Sequence, residues 1–335
     1  MALDASVSST CHFVRVFPYQ PERTAKQPQV PQAPLGFPPL EKDWLCEFET
    51  FPSADERATL FSHLFRPLKP DARLRHKALM IFHGQSEHSG RYVHVPHYVK
   101  DTVGSVYALD HRGHGRSTGI WGHVPHFDRF ADDLALAVRR YHNFLTQEYG
   151  EAEIHLLGHS MGGLITLRAL LLYPNLPIAS VTLSAPMLEL AFKVPKLKEM
   201  AGRMFYRFFP FLPLPTEPMD QIISRDKNVV FAYQRDPYNH GLASSGFYFT
   251  YLEVLEDTLA RGAELAYPIL LQLPMRDQII NSKATEAFYR TWQGSNKKLI
   301  PYDDLFHEIY NEPEKPIVFG DLIEWIKAHS TELPT

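Results

Sequence analysis

The pentapeptide Gly-His-Ser-Met-Gly at residues 158–162 constrains the fold of this chain more than any other feature. A segment typical of a buried strand, 153–157, precedes it, and a helical pattern at 164–173 follows it. Gly158 and Gly162 carry no side chain at the points where such a strand and helix approach most closely. The pattern therefore predicts a sharp strand-to-helix turn with a serine at its apex, as occurs in α/β folds.

The serine of this turn, Ser160, is a candidate nucleophile. A serine hydroxyl reacts poorly at neutral pH unless it is exposed, held rigidly and placed beside a base that takes its proton. The start of the following helix adds the positive end of a helix dipole. Because an ordinary glycine-rich turn can contain an incidental serine, the interpretation depends on whether an acid and a base follow in the chain.

Short β-rich segments alternate with longer helical patterns from Trp44 onward. This order predicts an α/β fold with a mostly parallel sheet covered by helices on both faces. Eight strands are predicted, at residues 45–51, 59–65, 78–82, 106–109, 154–157, 180–183, 269–273 and 298–301. Helices are predicted where apolar residues recur every three or four positions, at residues 127–145, 161–173, 283–292 and 319–329.

Two stretches interrupt this alternation. Residues 1–44 include seven prolines, which favour extended or irregular backbone, so they are predicted to form an N-terminal extension. Within it, residues 11–17 alternate enough to suggest a short strand. Residues 45–335 would form the catalytic domain. Inside that domain, residues from about 187 to 246 are rich in proline, phenylalanine and tyrosine, and are predicted to form a helical cap inserted after the sixth strand.

The composition argues against several classes of protein. A net charge of −4 gives no reason to expect nucleic-acid binding. Two cysteines, Cys11 and Cys46, are too few for a disulfide framework, and no His-Glu-x-x-His motif occurs among the 17 histidines, so no metal site is predicted. The first residues lack a secretory-signal pattern, and no run of about eighteen apolar residues appears, so a cytoplasmic location is expected.

The acid and the base that Ser160 needs are predicted downstream. A serine on such a turn is followed in the chain by an acid and then a histidine, each after the carboxyl end of a strand. Asp277 follows the seventh predicted strand, and His307 follows the eighth. His307 would take the proton from Ser160, and Asp277 would orient the imidazole. Asp303 and Asp304 are alternative acids.

The negative charge of a tetrahedral intermediate requires two N–H donors aimed at one point. The residue after the serine, Met161, would provide one backbone N–H, and the loop after the third strand would provide the other. His83 and Gly84 close that strand, so the backbone N–H of Gln85 is the second candidate. Gly84 would let the backbone turn inward at this point.

Together these segments resemble the monoacylglycerol lipases and bacterial lysophospholipases of the α/β-hydrolase superfamily. Four segments are similar to that family's motifs: the oxyanion loop His-Gly-Gln-Ser-Glu-His-Ser-Gly-Arg-Tyr at 83–92, Asp-His-Arg-Gly-His-Gly-Arg-Ser at 110–117, the serine turn at 158–163, and His-Glu-Ile-Tyr-Asn-Glu at 307–312. The similarity covers residues 44–326. It implies an α/β-hydrolase fold, no cofactor, a lipid-ester substrate under a mobile cap, the triad Ser160, Asp277 and His307, and the oxyanion donors Gln85 and Met161.

The chain departs from the family pattern in two places. The approach to the acid usually contains glycine, whereas here Met275 and Arg276 place a large side chain and a cation before Asp277. Asp303 and Asp304 stand where a proline-glycine pair often precedes the histidine. Both departures concern the conformation of the loops beside the predicted triad.

The substrate and the role of the cap allow more than one interpretation. Cleavage of monoacylglycerol or lysophospholipid is the expected activity, and the alternatives are a peptidase of the proline iminopeptidase kind or a catalytically silent binding protein. The cap's basic residues disfavour the peptidase, which needs acidic groups to hold a substrate amine. Apolar residues recur at helical spacing between Leu197 and Phe209, which fits either transient contact with a membrane surface, and hence peripheral membrane association, or packing over an acyl pocket.

Overall fold

The computed structural model describes residues 30–193 and 195–331. Eight strands of this part form one sheet, and two short strands form a separate antiparallel pair. The strands are β1 (Trp44–Pro52), β2 (Thr59–Pro67), β3 (Lys77–Phe82), β4 (Ser105–Asp110), β5 (Glu153–His159), β6 (Ser180–Ser184), β7 (Pro213–Pro215), β8 (Leu242–Ser244), β9 (Ile269–Pro274) and β10 (Lys297–Tyr302). The helices are α1 (Val95–Val99), α2 (Asp128–Tyr149), α3 (Met161–Leu172), α4 (Lys196–Phe208), α5 (Lys227–Arg235), α6 (Ser245–Ala260), α7 (Ser282–Thr291) and α8 (Lys315–Ala328).

The large sheet has the strand order β1-β2-β4-β3-β5-β6-β9-β10. The β1–β2 and β2–β4 pairs are antiparallel, and every other neighbouring pair is parallel. Because parallel strands bring their carboxyl ends to one edge of a sheet, the loops after β3, β5, β9 and β10 meet there. Those four loops carry all the predicted catalytic and oxyanion residues.

The core lies on both faces of the sheet. All six residues of β3 are buried, and the five that follow Lys77 are apolar, as expected of a parallel strand covered on both faces. Alternate residues of this strand point to opposite sides, so Met80 packs with α2 and α3, whereas Ile81 packs with α1 and α8. The mostly parallel sheet with helices on both faces confirms the predicted fold class.

All eight predicted strands fall within strands of the large sheet, and the four predicted helices correspond to α2, α3, α7 and α8. The sequence did not predict α1, α5 or the β7–β8 pair, which are short, nor the longer helix α6. Helix α6 belongs to the main core, because Phe247, Tyr251 and Val254 are buried against the body of the domain.

The interval predicted to be a cap contains α4, β7, α5 and β8. It follows β6 directly, and its assignment as a cap, like the other domain boundaries, stays a prediction. The predicted strand at 11–17 lies outside the described residues. In the ranges that the structure describes, no helix is both long and apolar enough to cross a membrane.

Candidate active site

Ser160 stands on the tight turn between β5 and α3. Its φ is +51°, a conformation that costs a non-glycine residue on the order of 1–3 kcal/mol and that packed surroundings must hold in place. The backbone N–H of Ser160 donates to the carbonyl of Ser184 on β6 at 2.9 Å. A Cβ on Gly162 would lie 2.0 Å from the carbonyl oxygen of Phe82, so only glycine fits beside β3.

The structure brings His307 and Asp277 into contact at the carboxyl ends of β10 and β9. Nδ1 of His307 donates to Oδ2 of Asp277 at 2.7 Å. The other carboxylate oxygen accepts the backbone N–H groups of Ile279 at 2.7 Å and Ile280 at 3.0 Å. Burial by itself lowers the pKa of His307, but the charge and the hydrogen bond of Asp277 outweigh it, so the pKa is raised above its usual value of 6.5.

The charged residues at the two departures from the family pattern do not take part in the contact between His307 and Asp277. The Arg276 side chain is exposed and pairs with Asp304 at 3.5 Å, so the cation points away from the carboxylate of Asp277. Asp303 and Asp304 are both exposed. The contact with His307 is therefore made by Asp277 and not by either alternative acid.

The loop after β3, which carries the predicted oxyanion residues, approaches Ser160 closely and is held in place by hydrogen bonds. A Cβ on Gly84 would lie 3.2 Å from Cβ of Ser160, so the two segments touch. Nδ1 of His83 donates to the carbonyl of Gly84 at 2.7 Å, and Nε2 accepts the backbone N–H of His111 at 3.0 Å. The Gln85 side chain donates to the carbonyl of Leu242 at 3.1 Å.

The two predicted oxyanion donors remain free for a ligand. Among the described residues, neither the backbone N–H of Gln85 nor that of Met161 has a hydrogen-bond acceptor. Met161 begins α3, where the first N–H groups of a helix lack partners within the helix. Met161 follows Ser160 directly, and Gln85 follows Gly84, which approaches Ser160 closely, so both amides suit the stabilisation of a negative oxygen formed there.

A buried ion cluster, which the sequence did not identify as part of the site, joins the oxyanion loop to the histidine loop. Nη1 of Arg91 lies 2.6 Å from Glu87 and 2.7 Å from Glu308, and Nη2 makes a second bond of 2.7 Å to Glu308. Glu87 also accepts the backbone N–H of Gly84 at 2.6 Å. Burial raises the pKa of Glu87, but the charge of Arg91 together with the hydrogen bonds from Gly84 and Tyr92 lowers it overall. Glu87 and Arg91 belong to the motif at 83–92, so that motif was the sequence feature that could have identified them as part of the site.

His159, inside the pentapeptide, is a second histidine beside the candidate base. Its ring centroid lies 4.9 Å from that of His307. Burial, followed by the proximity of His307, lowers the pKa of His159 to about 4. His159 is therefore uncharged at neutral pH and does not compete with His307 for a proton. In the described ranges, no group of three or more His, Cys, Asp or Glu side chains is placed to bind a metal ion.

Ser160 and His307 open into one cavity of about 810 Å³, which is also lined by residues of the segment between β6 and α6. The cavity suits a long apolar group, since aromatic and aliphatic side chains dominate its wall. These residues include Met187, Leu190, Phe192, Ala201, Phe205, Leu214, Met219, Ile223, Tyr233, Ala243, Phe247, Tyr248, Phe249, Tyr251 and Ile279.

The apolar residues of α4 lie partly against the cavity and partly in solvent. Ala201 and Phe205 line the cavity, in agreement with packing over an acyl pocket. Leu197 and Phe208 do not line it and are 75% and 61% exposed. The basic residues of the cap do not surround the cavity: of the Lys and Arg residues that the structure describes, Lys198 alone lines it, against the acidic Glu87, Glu199, Glu217, Asp220, Asp236 and Glu308.

Comparison with known proteins places this arrangement in a family. A family model described as serine aminopeptidase, S33, matches residues 74–314. A monoacylglycerol lipase of Mycolicibacterium smegmatis is 30% identical over 252 residues, which cover 75% of this chain and 88% of that protein. The chain belongs to the monoacylglycerol lipase and lysophospholipase family of α/β-hydrolases.

A further relative supports the same assignment, and a solved structure supports the fold. The phospholipase YtpA of Bacillus subtilis is 27% identical over 242 residues, which cover 72% of this hydrolase and 91% of that protein. The crystal structure of a soluble variant of monoglyceride lipase from Saccharomyces cerevisiae, in complex with a substrate analogue, has a TM-score of 0.72. It shares 20% identity, with coverage of 94% of this chain and 99% of that one, and therefore shows the fold.

Proposed function

We propose that this hydrolase cleaves carboxylic esters of long acyl chains through an acyl-enzyme at Ser160. The observation that carries the proposal is that Ser160 and an Asp277-bonded His307 open together into a large apolar cavity. Each component has a chemical use: a nucleophile, a base with an orienting acid, free N–H donors and space for an alkyl chain.

The reaction follows from the hydrogen bond that orients the histidine. Because Nδ1 of His307 donates to Asp277, Nε2 is the nitrogen that takes the proton of the Ser160 hydroxyl. The serine oxygen attacks the ester carbonyl, and the backbone N–H groups of Gln85 and Met161 bind the resulting oxyanion. When the intermediate collapses, the C–O bond to the alcohol breaks, and His307 gives its proton to the departing oxygen.

The second half of the reaction repeats these steps with water. His307, now neutral, takes a proton from a water molecule as that water attacks the acyl-enzyme. Collapse of the second intermediate releases the carboxylic acid and returns the proton to Ser160. No cofactor enters this sequence of proton and acyl transfers.

Within lipid esters, we propose that a neutral head group, as in monoacylglycerol, is preferred to an anionic one, as in an acidic lysophospholipid. The cavity residue Lys198 pairs with Glu217. Arg91, which does not line the cavity, pairs with both Glu87 and Glu308. An anionic phosphate would need a cation without such partners. It would also meet the carboxylates that line the cavity.

Carboxylates of the cavity wall already have ion-pair or hydrogen-bond partners, which disfavours a peptidase that must hold a free amine. Glu199 pairs with Arg203, Asp236 accepts from His88 at 2.9 Å, and Asp220 accepts from Gln234. Opening any of these pairs would cost binding energy before an amine could replace the existing partner.

We further propose that the exposed face of α4 contacts the membrane surface from which such lipids come. Leu197, Met200, Met204 and Phe208 are exposed on this helix, with Arg207 in its last turn. An apolar ridge with basic neighbours is suited to the boundary of an anionic bilayer. The cavity-facing Phe205 would then lie behind a surface that collects lipid.

A fluorophosphonate probe and a substrate panel test the proposed function. We expect the probe to label the wild type but not Ser160→Ala, and we expect monoacylglycerols to be cleaved faster than lysophosphatidic acids of equal chain length. The panel includes lysophosphatidylcholines, short p-nitrophenyl esters and prolyl amides. Absence of labelling would favour the silent binding protein, and preferential cleavage of the prolyl amide would favour the peptidase.

A further inference from the structure

The described N-terminal residues 30–43, which we call the strap, lie outside the region matched by the family model, 74–314. At its centre the N–H of Phe37 donates to the carbonyl of Pro34 at 3.0 Å. Gly36 has a φ of +87°, which the third position of a type II turn requires. This turn leaves Leu35 79% exposed and turns Phe37 inward, where it is 8% exposed.

Phe37 is buried between the predicted cap and the catalytic domain. It forms an apolar cluster with Ile223, Val229 and Val230, of which the two valines are on α5. From the catalytic domain, the ring of His94 meets Phe37 edge-on at 5.1 Å between centroids. Nζ of Lys315 lies 3.9 Å from the centre of the Phe37 ring. The side chain therefore fills the junction between the two parts.

The neighbours of Phe37 are hydrogen-bonded directly to the active-site loops. The carbonyl of Ile223 accepts the N–H of Glu308, the residue after His307, at 2.8 Å. Ile279 packs against the same cluster, and its N–H donates to the carboxylate of Asp277 at 2.7 Å. The apolar cluster around Phe37 thus supports both the histidine loop and the acid loop.

A third connection leads from the cluster to the oxyanion loop. Tyr233 of α5 packs against the cluster, and its hydroxyl donates to the carbonyl of Ser86 at 3.2 Å. The ring of Tyr233 also lies 4.8 Å from the guanidinium of Arg91. A displacement of α5 would therefore change the support of the residue that follows Gln85.

The strap is anchored to the catalytic domain on both sides of Phe37. Toward the strand β1, Glu41 bonds to His97 at 2.6 Å and to Lys100 at 2.9 Å. Toward the N-terminus, Cβ of Pro31 lies 3.4 Å from the position that a Cβ on Gly90 would take. The strap thus crosses from the oxyanion loop to α1 and presses Phe37 onto α5.

We propose that Phe37 is a positioning residue, through which the strap holds α5 and the loops of Gln85, Asp277 and His307 in the geometry that ester cleavage needs. The proposal rests on the proposed function. A 1 Å misplacement of reacting groups can lower a rate by about 10²-fold, so small movements of these loops matter.

The test compares Phe37→Ala with the conservative Phe37→Leu and with Leu35→Ala, which alters the exposed residue of the same turn. We expect Phe37→Ala to lower kcat on a long-chain monoacylglycerol by roughly tenfold or more, with a smaller change in KM. Amide hydrogen exchange should become faster in residues 223–235 but not in α2. Phe37→Leu should restore most of both properties, and Leu35→Ala should match the wild type.

Unchanged kcat in Phe37→Ala, or exchange that rises equally in α2 and in 223–235, would overturn the proposal, because the second result indicates general destabilisation. If Phe37→Ala does not fold, Phe37→Val is measured in its place with the same two criteria. Absence of esterase activity in the wild type would contradict only the proposed function. Exchange at 223–235 would still report whether Phe37 holds α5.

Discussion

His307 donates a 2.7 Å hydrogen bond to a carboxylate oxygen of Asp277, and the side chain of Asp277 is completely buried. Replacing Asp277 with Asn would retain the shape but allow the wrong imidazole tautomer. We expect kcat to fall by about 10⁴-fold. Steady-state hydrolysis of a monoacylglycerol measures the effect, and Asp304→Asn, at an exposed position, is the matched control. Near-normal turnover in Asp277→Asn would show that this carboxylate does not orient the base.

The pH dependence of hydrolysis should reflect the raised pKa of His307. His307 must be neutral to accept the serine proton, so kcat/KM should fall as the pH drops through its pKa. The acid limb of the profile is therefore expected above pH 6.5, the ordinary histidine value. In Asp277→Asn, the loss of the charge that raises this pKa should move the limb to lower pH. A wild-type limb centred below 6.5 would contradict the prediction.

Arg91 should be important for stability because it serves two buried carboxylates. Arg91→Met would leave Glu87 and Glu308 without their cation, and breaking a buried ion cluster in this way costs about 3–5 kcal/mol. Urea unfolding followed by circular dichroism measures this free energy. Arg276→Met removes an arginine from an exposed pair and should change it by less than about 1 kcal/mol. Equal effects of the two substitutions would refute the role of burial.

The exposed face of α4 should bind lipid surfaces. A Met204→Ser, Phe208→Ser double variant should bind phosphatidylserine-containing vesicles more weakly than the wild type, while retaining hydrolysis of a soluble p-nitrophenyl ester. Ile317→Ser is the control, because Ile317 is 63% exposed on α8, outside the predicted cap. Sedimentation with vesicles measures binding. Unchanged binding of the double variant would exclude a membrane role for this face.

The sequence predicts the eight strands of the large sheet well and locates the candidate residues at their carboxyl ends, for a physical reason. Strands buried on both faces are largely apolar, as residues 78–82 of β3 are, and the serine turn has a strict local pattern. Asp277 and His307 could be located because parallel strands bring successive loops to one edge.

The contacts that sequence reasoning missed have no periodic or local pattern. Arg91 and Glu308 are 217 positions apart, and only the folded chain shows that they pair. The proline-rich composition of residues 1–44 suggested an extension, although Phe37 within it is buried. Helical spacing in α4 could not distinguish Phe205, which faces the cavity, from Phe208, which faces outward.

The position of β10 at the edge of the sheet gives the proposed base less support from neighbouring strands than the proposed nucleophile has. Ser160 follows β5, which is bonded to β3 on one side and to β6 on the other, whereas His307 follows β10, which has β9 as its single neighbour. An edge strand can fray while the interior of a sheet stays intact. Warming should therefore abolish hydrolysis while most of the secondary structure persists, and cooling should restore hydrolysis.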